Sequence, residues 1–319
     1  MTSAASQDSS WAGFDVGGQA VKAVLVDERG NIVARGGRAT GLETDVRHLA
    51  AAIGSLADEL SATATVADAV GIGLAGVMGA DGVLHGSPNL PRLVGRPVQR
   101  ELEEILGRAT IVDNDANCAA FGEGLGGAAD GVASYLLITL GSGIGSGLVL
   151  GGELHHGATG YACELGHSVV CSKGRLCGCG NRGCLEAYCS ETAARALVAE
   201  ASERLRAAVI ADVSERGHGH AQSLFERADG GDDEARAITA DMIEMLGIGL
   251  ASAVNVLDVT VLVIGGGIAP GVLARKDELL AAMDASLFAR DAASLTVVAA
   301  ARGGDAGAVG AARLAMSAR

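Results

Sequence analysis

Six of the seven cysteines in this 319-residue chain fall between Cys163 and Cys189. Three of them, Cys177, Cys179 and Cys184, share the stretch "CGCGNRGC", with Gly178, Gly180 and Gly183 between them. Thiolates so spaced on a glycine-rich turn converge easily, and zinc takes four soft or borderline ligands in a tetrahedron. A fourth ligand is then required. His167 in "CELGH" and Cys171 both stand close enough upstream. The plainer alternative, reduced buried cysteines without a metal, does not account for the glycines between the thiols. Structural disulfides are rare in cytosolic proteins, so the cluster reads as a metal site. A closed set of four ligands leaves no open position for chemistry, so the metal would hold a loop in place.

A second group offers acid–base chemistry. "DNDAN" puts Asp113, Asn114, Asp115 and Asn117 where an apolar strand, Thr110 to Val112, runs into a helix. Asp115 as a plain N-cap is the competing reading, since carboxylates suit helix N-termini. One cap suffices, however, and this stretch has four polar residues in five. A carboxylate held there is what a phosphoryl transferase needs to orient a hydroxyl and accept its proton.

Glycine turns supply the other half of such chemistry. "DVGGQAVK" carries Asp15, Gly17, Gly18 and Gln19; "LGSGIGSG" carries Gly141, Ser142 and Gly143; a third turn holds Gly265, Gly266 and Gly267. Such turns expose backbone N–H groups to phosphate oxygens, and Asp15 could hold Mg²⁺ directly or through water. Taken singly each is compatible with an ordinary hairpin. Neither of the first two matches the GxxxxGK[ST] loop or a dinucleotide fingerprint. Their recurrence gives them weight.

The elements that must position these groups follow from periodicity and turn residues. "AGFDVGGQAVKAVLVDERGNIVARG" predicts three strands joined by tight turns. Leu42 to Leu60 has helical spacing, "ADAVGIGLAGV" reads as a buried strand, and "PVQRELEEIL" as a short helix opened by Pro97. "ASYLLITLGSGIGSGLVLGGEL" predicts a second glycine-turned hairpin. Helices are expected over Glu186 to Leu205 and Asp233 to Val256, then strands in "VTVLVIGGGIA" and "LTVVAAA" and a helix in "AGAVGAARLAM". The hairpin unit thus occurs twice, near residues 11–36 and 132–154, which suggests two related α/β lobes facing a cleft. A formal net charge of −14 argues against a nucleic-acid surface. The absence of an 18-residue apolar run free of glycine and charge argues against a membrane span. Met1 to Ser10 is polar, lacks signal-peptide character, and reads as a frayed tail on a cytoplasmic protein.

The motifs "DVGGQAVK", "SPNLP", "DNDANCAA", "LGSGIGSGLVLGGELHHGATG", "CELGH" and "CGCGNRGCLEAY", followed by "VIGGGIA" and "DAGAVGAA", stand in the order found in the ROK family of sugar kinases and sugar-responsive repressors. The chain resembles that family, and within it the bacterial ATP-dependent glucokinases. The resemblance implies the two-lobed actin-like ATPase (sugar kinase/RNase H-like) fold. Residues 1–117, completed by a helix near 306–319, would form the smaller lobe, and 118–305 the larger one. It implies Asp115 as the base for the sugar 6-hydroxyl and Asn89 and Asn114 as sugar ligands. Glu164 and His167 would hold the anomeric end, with Glu186 a further sugar ligand. ATP and Mg²⁺ would lie on Asp15, Gly17, Gly18, Gln19, Gly141, Ser142, Gly143, Gly266 and Gly267. His167 becomes the fourth ligand of a structural Zn²⁺, beside Cys177, Cys179 and Cys184. A homodimer is implied as well.

Three positions depart from the family pattern. Gln19 and Ser142 each stand where threonine is usual, and Cys163 where glycine or alanine is common. The resemblance leaves three further readings in view: a kinase of N-acetylglucosamine or N-acetylmannosamine, a polyphosphate-using kinase, and a non-catalytic sugar-sensing regulator. A repressor carries a helix-turn-helix domain ahead of the kinase-like part, and the first strand, expected from about Trp11, leaves no room for one. A polyphosphate kinase would want a basic track, which an acidic chain does not obviously supply.

Overall fold

β-Branched and aromatic residues crowd the first hairpin, and they pair as their alternation predicts. The computed structural model describes residues 10–317; most of the expected N-terminal tail lies outside them. The strands are β1 Ser10–Val16, β2 Ala20–Val26, β3 Ile32–Ala39, β4 Val66–Leu74, β5 Val77–Met78, β6 Leu84–Gly86, β7 Thr110–Asn114, β8 Tyr135–Leu140, β9 Ile144–Leu150, β10 Glu153–Leu154, β11 Val261–Gly265 and β12 Thr296–Ala299. The helices are α1 Val46–Ser61, α2 Val98–Leu106, α3 Asp115–Glu123, α4 Glu186–Cys189, α5 Glu191–Glu200, α6 Glu203–Arg216, α7 His220–Asp229, α8 Asp233–Leu257, α9 Ala269–Leu273, α10 Lys276–Asp284 and α11 Ala306–Ser317.

Two compact units share the chain. The first holds the described chain up to Ser134, then Gly147–Cys163 and the chain from Ala300 onward; the second holds Tyr135–Ser146 and Glu164–Ala299. The sequence reading put the break at residue 117, whereas α3 and the residues after it fall in the first unit. The reason is close packing of α3 on α11: a Cβ on Gly122 would lie 2.2 Å from the Ala306 carbonyl oxygen, and one on Gly310 only 1.6 Å from that of Cys118.

The first unit is built on a sheet of order β3-β2-β1-β4-β7. β1 runs antiparallel to β2 and parallel to β4, which in turn is parallel to β7. Side chains alternate across a strand. Ala12, Phe14 and Val16 therefore share one core with Leu49, Ile53 and Leu56 of α1, while Trp11 packs with Ala308 and Ala312 of α11 on the other face. Asp45 caps α1 by accepting from His48 N.

The second sheet has the order β10-β9-β8-β11-β12. β11 is parallel to both β8 and β12. The continuous helix expected over Glu186 to Leu205 is instead broken at Ser190 and Ser202, whose hydroxyls cap α5 and α6 through Ala193 N and Leu205 N. α7, α10 and most of α6 and α9 lie in stretches for which the sequence offered no reading. α8 is long and apolar enough to cross a membrane by length and composition, yet 56% of its most apolar window is buried inside the protein. It packs on α7 and α10, and its residues Met242, Leu246 and Leu250 are buried, so it serves as a core helix.

Candidate active site

The end of β7 delivers a chain of polar residues into the start of α3. Asn114 is the N-cap: its Oδ1 accepts from Ala116 N at 2.8 Å and Asn117 N at 3.0 Å. Its amide nitrogen donates to the Gly76 carbonyl at 2.8 Å and to Asp115 Oδ1 at 3.1 Å. Capping therefore falls to Asn114, and Asp115 is the first residue of the helix. There it lies in the favourable field of the helix N-terminus, and Oδ1 accepts from Ala116 N at 3.0 Å. Asn114, expected as a sugar ligand, has both ends of its amide engaged in holding this turn.

The first glycine turn closes with Gly17 N donating to Ala20 O at 3.0 Å. Thr40 braces it from β3's far end, donating its hydroxyl to Gly17 O at 2.8 Å and its N–H to Gln19 O at 2.9 Å. Gly18 faces Asn89, whose Cβ would stand 3.0 Å from any Cβ placed on Gly18. Ser87 anchors the loop bearing Asn89: its hydroxyl donates to Ala75 O and accepts from Leu90 N. Asp15, next to last in β1, stands opposite Lys22. Burial pushes its carboxyl above the usual range, and the Lys22 ammonium opposes that shift. Its carboxylate faces Gly307 at the start of α11. Asp15, Gly17, Gly18, Gln19, Asn89, Asn114 and Asp115 all belong to the first unit.

The second unit gathers the remainder. Gly141 N donates to Gly143 O at 3.0 Å, and the turn is braced by α5, with Glu191 N on Gly141 O and the Thr192 hydroxyl on Ser142 O. Gly266 sits at φ +88, where a Cβ would meet the Leu140 carbonyl at 2.3 Å, so only glycine fits. Space is open beside Gly141 and Gly267. Glu186 lies against this turn: its Oε2 accepts from Ile144 N at 2.9 Å, and a Cβ on Gly143 would be 2.4 Å from the same oxygen.

One ligand atom from each of His167, Cys177, Cys179 and Cys184 lies within 4.8 Å of every other. Cys177 Sγ stands 3.8 Å from His167 Nδ1, and Cys179 Sγ 3.7 Å from Cys184 Sγ. A tetrahedron with bonds of about 2.0–2.3 Å has edges of roughly 3.3–3.8 Å, so three sulfurs and one imidazole at these separations suit zinc. Cys171, the competing ligand, stands outside the group and faces the Tyr188 hydroxyl. Burial pushes the Cys177 thiol up to about 12, and a cation among these sulfurs would reverse that. Glu186 Oε1 lies 3.6 Å from Cys177 Sγ, so the cluster also abuts the glycine turn. Glu164 begins the short turn that ends at His167. Burial raises its carboxyl; His167 opposes the shift and the like charge of Glu186 reinforces it.

One pair escaped sequence reasoning. His156 Nε2 lies 2.6 Å from Asp113 Oδ2, across 43 residues of chain. The only local signal was a histidine before the glycine of "HHGATG".

Two sheets of matching order, each with a glycine-turned hairpin, and a carboxylate at a strand–helix junction define a two-lobed, actin-like α/β fold of the sugar-kinase type. The chain belongs to the ROK family, whose sequence model matches residues 11–318. It is 34% identical over 262 residues to the glucokinase of Thermotoga maritima, covering 80% of this chain and 81% of that protein. The crystal structure of the ROK hexokinase from Thermus thermophilus superposes with a TM-score of 0.81 at 33% identity, covering 97% of this chain and 98% of the other. The ROK glucokinase of Streptomyces griseus, solved with glucose and AMPPNP, gives 0.76 at 32% identity over 97% and 99%.

Proposed function

We propose that this protein is an ATP-dependent hexose kinase that phosphorylates glucose at its 6-hydroxyl. The observation that carries the reading is the β7–α3 junction, where Asn114 caps the helix and Asp115 occupies its first position. Asp115 takes the proton of the 6-hydroxyl as its oxygen attacks the γ-phosphorus of ATP; the bond to the bridging oxygen breaks and ADP leaves. Backbone N–H groups of the turns at Gly17–Gln19 and Gly141–Gly143, with Gly266 and Gly267, cradle the phosphates. Asp15 would hold Mg²⁺, which neutralises charge on the phosphate oxygens. Asn89, Glu164, His167 and Glu186 hold the sugar, with Asn114 fixing the turn beside it. His167, Cys177, Cys179 and Cys184 would hold a structural Zn²⁺ that fixes His167 and Glu186. Exclusion of water once the sugar is bound would keep the phosphoryl group from hydrolysis. The enzyme acts in the cytoplasm as a homodimer through the larger lobe. Coupled assays with glucose, N-acetylglucosamine and N-acetylmannosamine test the reading. Glucose is expected to give the highest kcat/KM, and Asp115→Asn to abolish turnover. Wild-type turnover in that variant would overturn the assignment.

A further inference from the structure

Asp113 is 6% exposed, and a carboxylate so buried needs its oxygens paired. Oδ1 accepts from Asn114 N at 2.7 Å and from Asn117 Nδ2 at 2.9 Å. Oδ2 is bound by His156 Nε2 at 2.6 Å. From Asp113 the bonds continue: Asn117 is the third residue of α3, and Asn114 donates to Asp115 Oδ1. An unbroken hydrogen-bonded path therefore runs from His156 to the carboxylate proposed as the base.

His156 is itself anchored. Its carbonyl accepts from Ala162 N at 3.2 Å, and Thr159 O of the same loop accepts from Ala80 N at 3.0 Å. Gly160, at φ +94, passes so close that a Cβ would stand 2.6 Å from Ala80 N. The loop is thus seated on the segment after β5. The imidazole is 45% exposed, so its packing contribution is modest and its directed contact is the one to Asp113.

We infer that His156 is a positioning residue for phosphoryl transfer: by gripping Asp113 it fixes the turn that aims Asp115. Burial of Asp113 alone would call for a cation anywhere nearby. What singles out His156 is that its partner's other oxygen holds the backbone and side chain flanking Asp115. The inference rests on Asp115 being the base. The hydrogen bond from His156 also holds the imidazole's own pKa above its usual value, in keeping with a committed contact.

The test uses the full-length enzyme and the variants His156→Leu, His156→Gln, Asp113→Asn and the Leu/Asn double variant. Turnover is expressed per glucose-binding site, counted by calorimetric titration. His156→Leu is expected to lower kcat by about 10- to 100-fold, the scale of an ångström-sized misplacement, while glucose Kd and ATP KM stay within about twofold. His156→Gln, which retains an N–H donor, should recover kcat to within about threefold. In the Asp113→Asn background, His156→Leu should cost no more than about a further twofold, because its partner is already altered. Three results would overturn the inference: near-normal kcat in His156→Leu, KM values that rise while kcat holds, or fully additive losses. Should His156→Leu not fold, His156→Ala carries the same expectations on this half-exposed surface. Asp115→Asn separates the layers. If that variant stays active, the base assignment fails; if it is inactive while His156→Leu is normal, only the role of His156 fails.

Discussion

The two glycine-turned hairpins share a plan but are secured in different ways. In the first unit the hairpin and the neighbouring β4 rest on α11, where glycines let backbone touch backbone: a Cβ on Gly13 of β1 would fall 2.0 Å from Ala308 O, and one on Gly71 of β4 1.7 Å from Ala311 O. In the second unit the turn rests on Glu186, which lies between Ile144 N and the cysteine cluster. Close helix packing gives rigidity wherever the ligand side needs only a well-aimed carboxylate. The carboxylates of Glu164 and Glu186 repel one another, and a metal ion held by the neighbouring thiols and His167 would fix them where apolar packing cannot. One hairpin is therefore held by packing and the other by polar contacts.

Substitutions should pull these halves apart. The largest effect is expected from Asp115→Asn, with kcat falling ~10²-fold or more while calorimetry shows glucose still binding. Zinc analysis of the purified protein should give about one atom per chain, and Cys184→Ser should lose it. In that variant the sugar KM is expected to rise with only the second unit's protection in hydrogen exchange reduced. Active protein free of zinc would break the distinction. Glu164→Ala should raise the sugar KM by about 10- to 100-fold and leave that of ATP nearly unmoved, because a charge-assisted hydrogen bond contributes roughly 1.5–3 kcal/mol; a change within twofold would make Glu164 a bystander. Gly71→Ala attacks the first unit instead. Overpacking against Ala311 should cost about 1–3 kcal/mol in urea unfolding, with zinc content unaltered.

The smallest effect concerns pH. The folded-state pKa of His156 is raised, first by its hydrogen bond to Asp113. Its pairing therefore stabilises fully below the ordinary imidazole value, about 6.5, and is lost as pH rises through the raised folded value. With the imidazole half exposed the contribution is under ~1 kcal/mol. Melting temperatures of wild type and His156→Gln should differ at pH 5.5 and converge toward pH 8.5. A constant difference across that range would show that charge plays no part.

Much of this was written locally. The spacing of Cys177, Cys179 and Cys184 brought three thiols together, since only a few glycine-rich residues separate them. The turns at Gly17 and Gly141 announced both hairpins. The choice between His167 and Cys171 was not local: the bend that turns one inward and the other toward Tyr188 is set by the whole loop. His156 and Asp113 are 43 residues apart, and nothing in either neighbourhood names the other. The helix breaks at Ser190 and Ser202 were signalled by capping residues but masked by apolar spacing that runs across them. The unit boundary after α3 depended on Gly122 and Gly310 meeting, a contact between distant stretches of chain.

The seat of α11 beside β1 has a consequence for synthesis. About 290 residues separate the end of β1 from the start of α11, and at 5–20 residues per second a ribosome needs about 15–60 s to make them. Throughout that interval the face of the sheet bearing Trp11, Val24 and Val26 has no helix to cover it. The second unit's cysteine loop is made well before then, although its last strand, β12, ends only shortly ahead of α11. The first unit's sheet thus stays open on one face until the last helix arrives. Chaperone occupancy measured along the growing chain should peak over the first sheet and fall once residues 306–317 emerge.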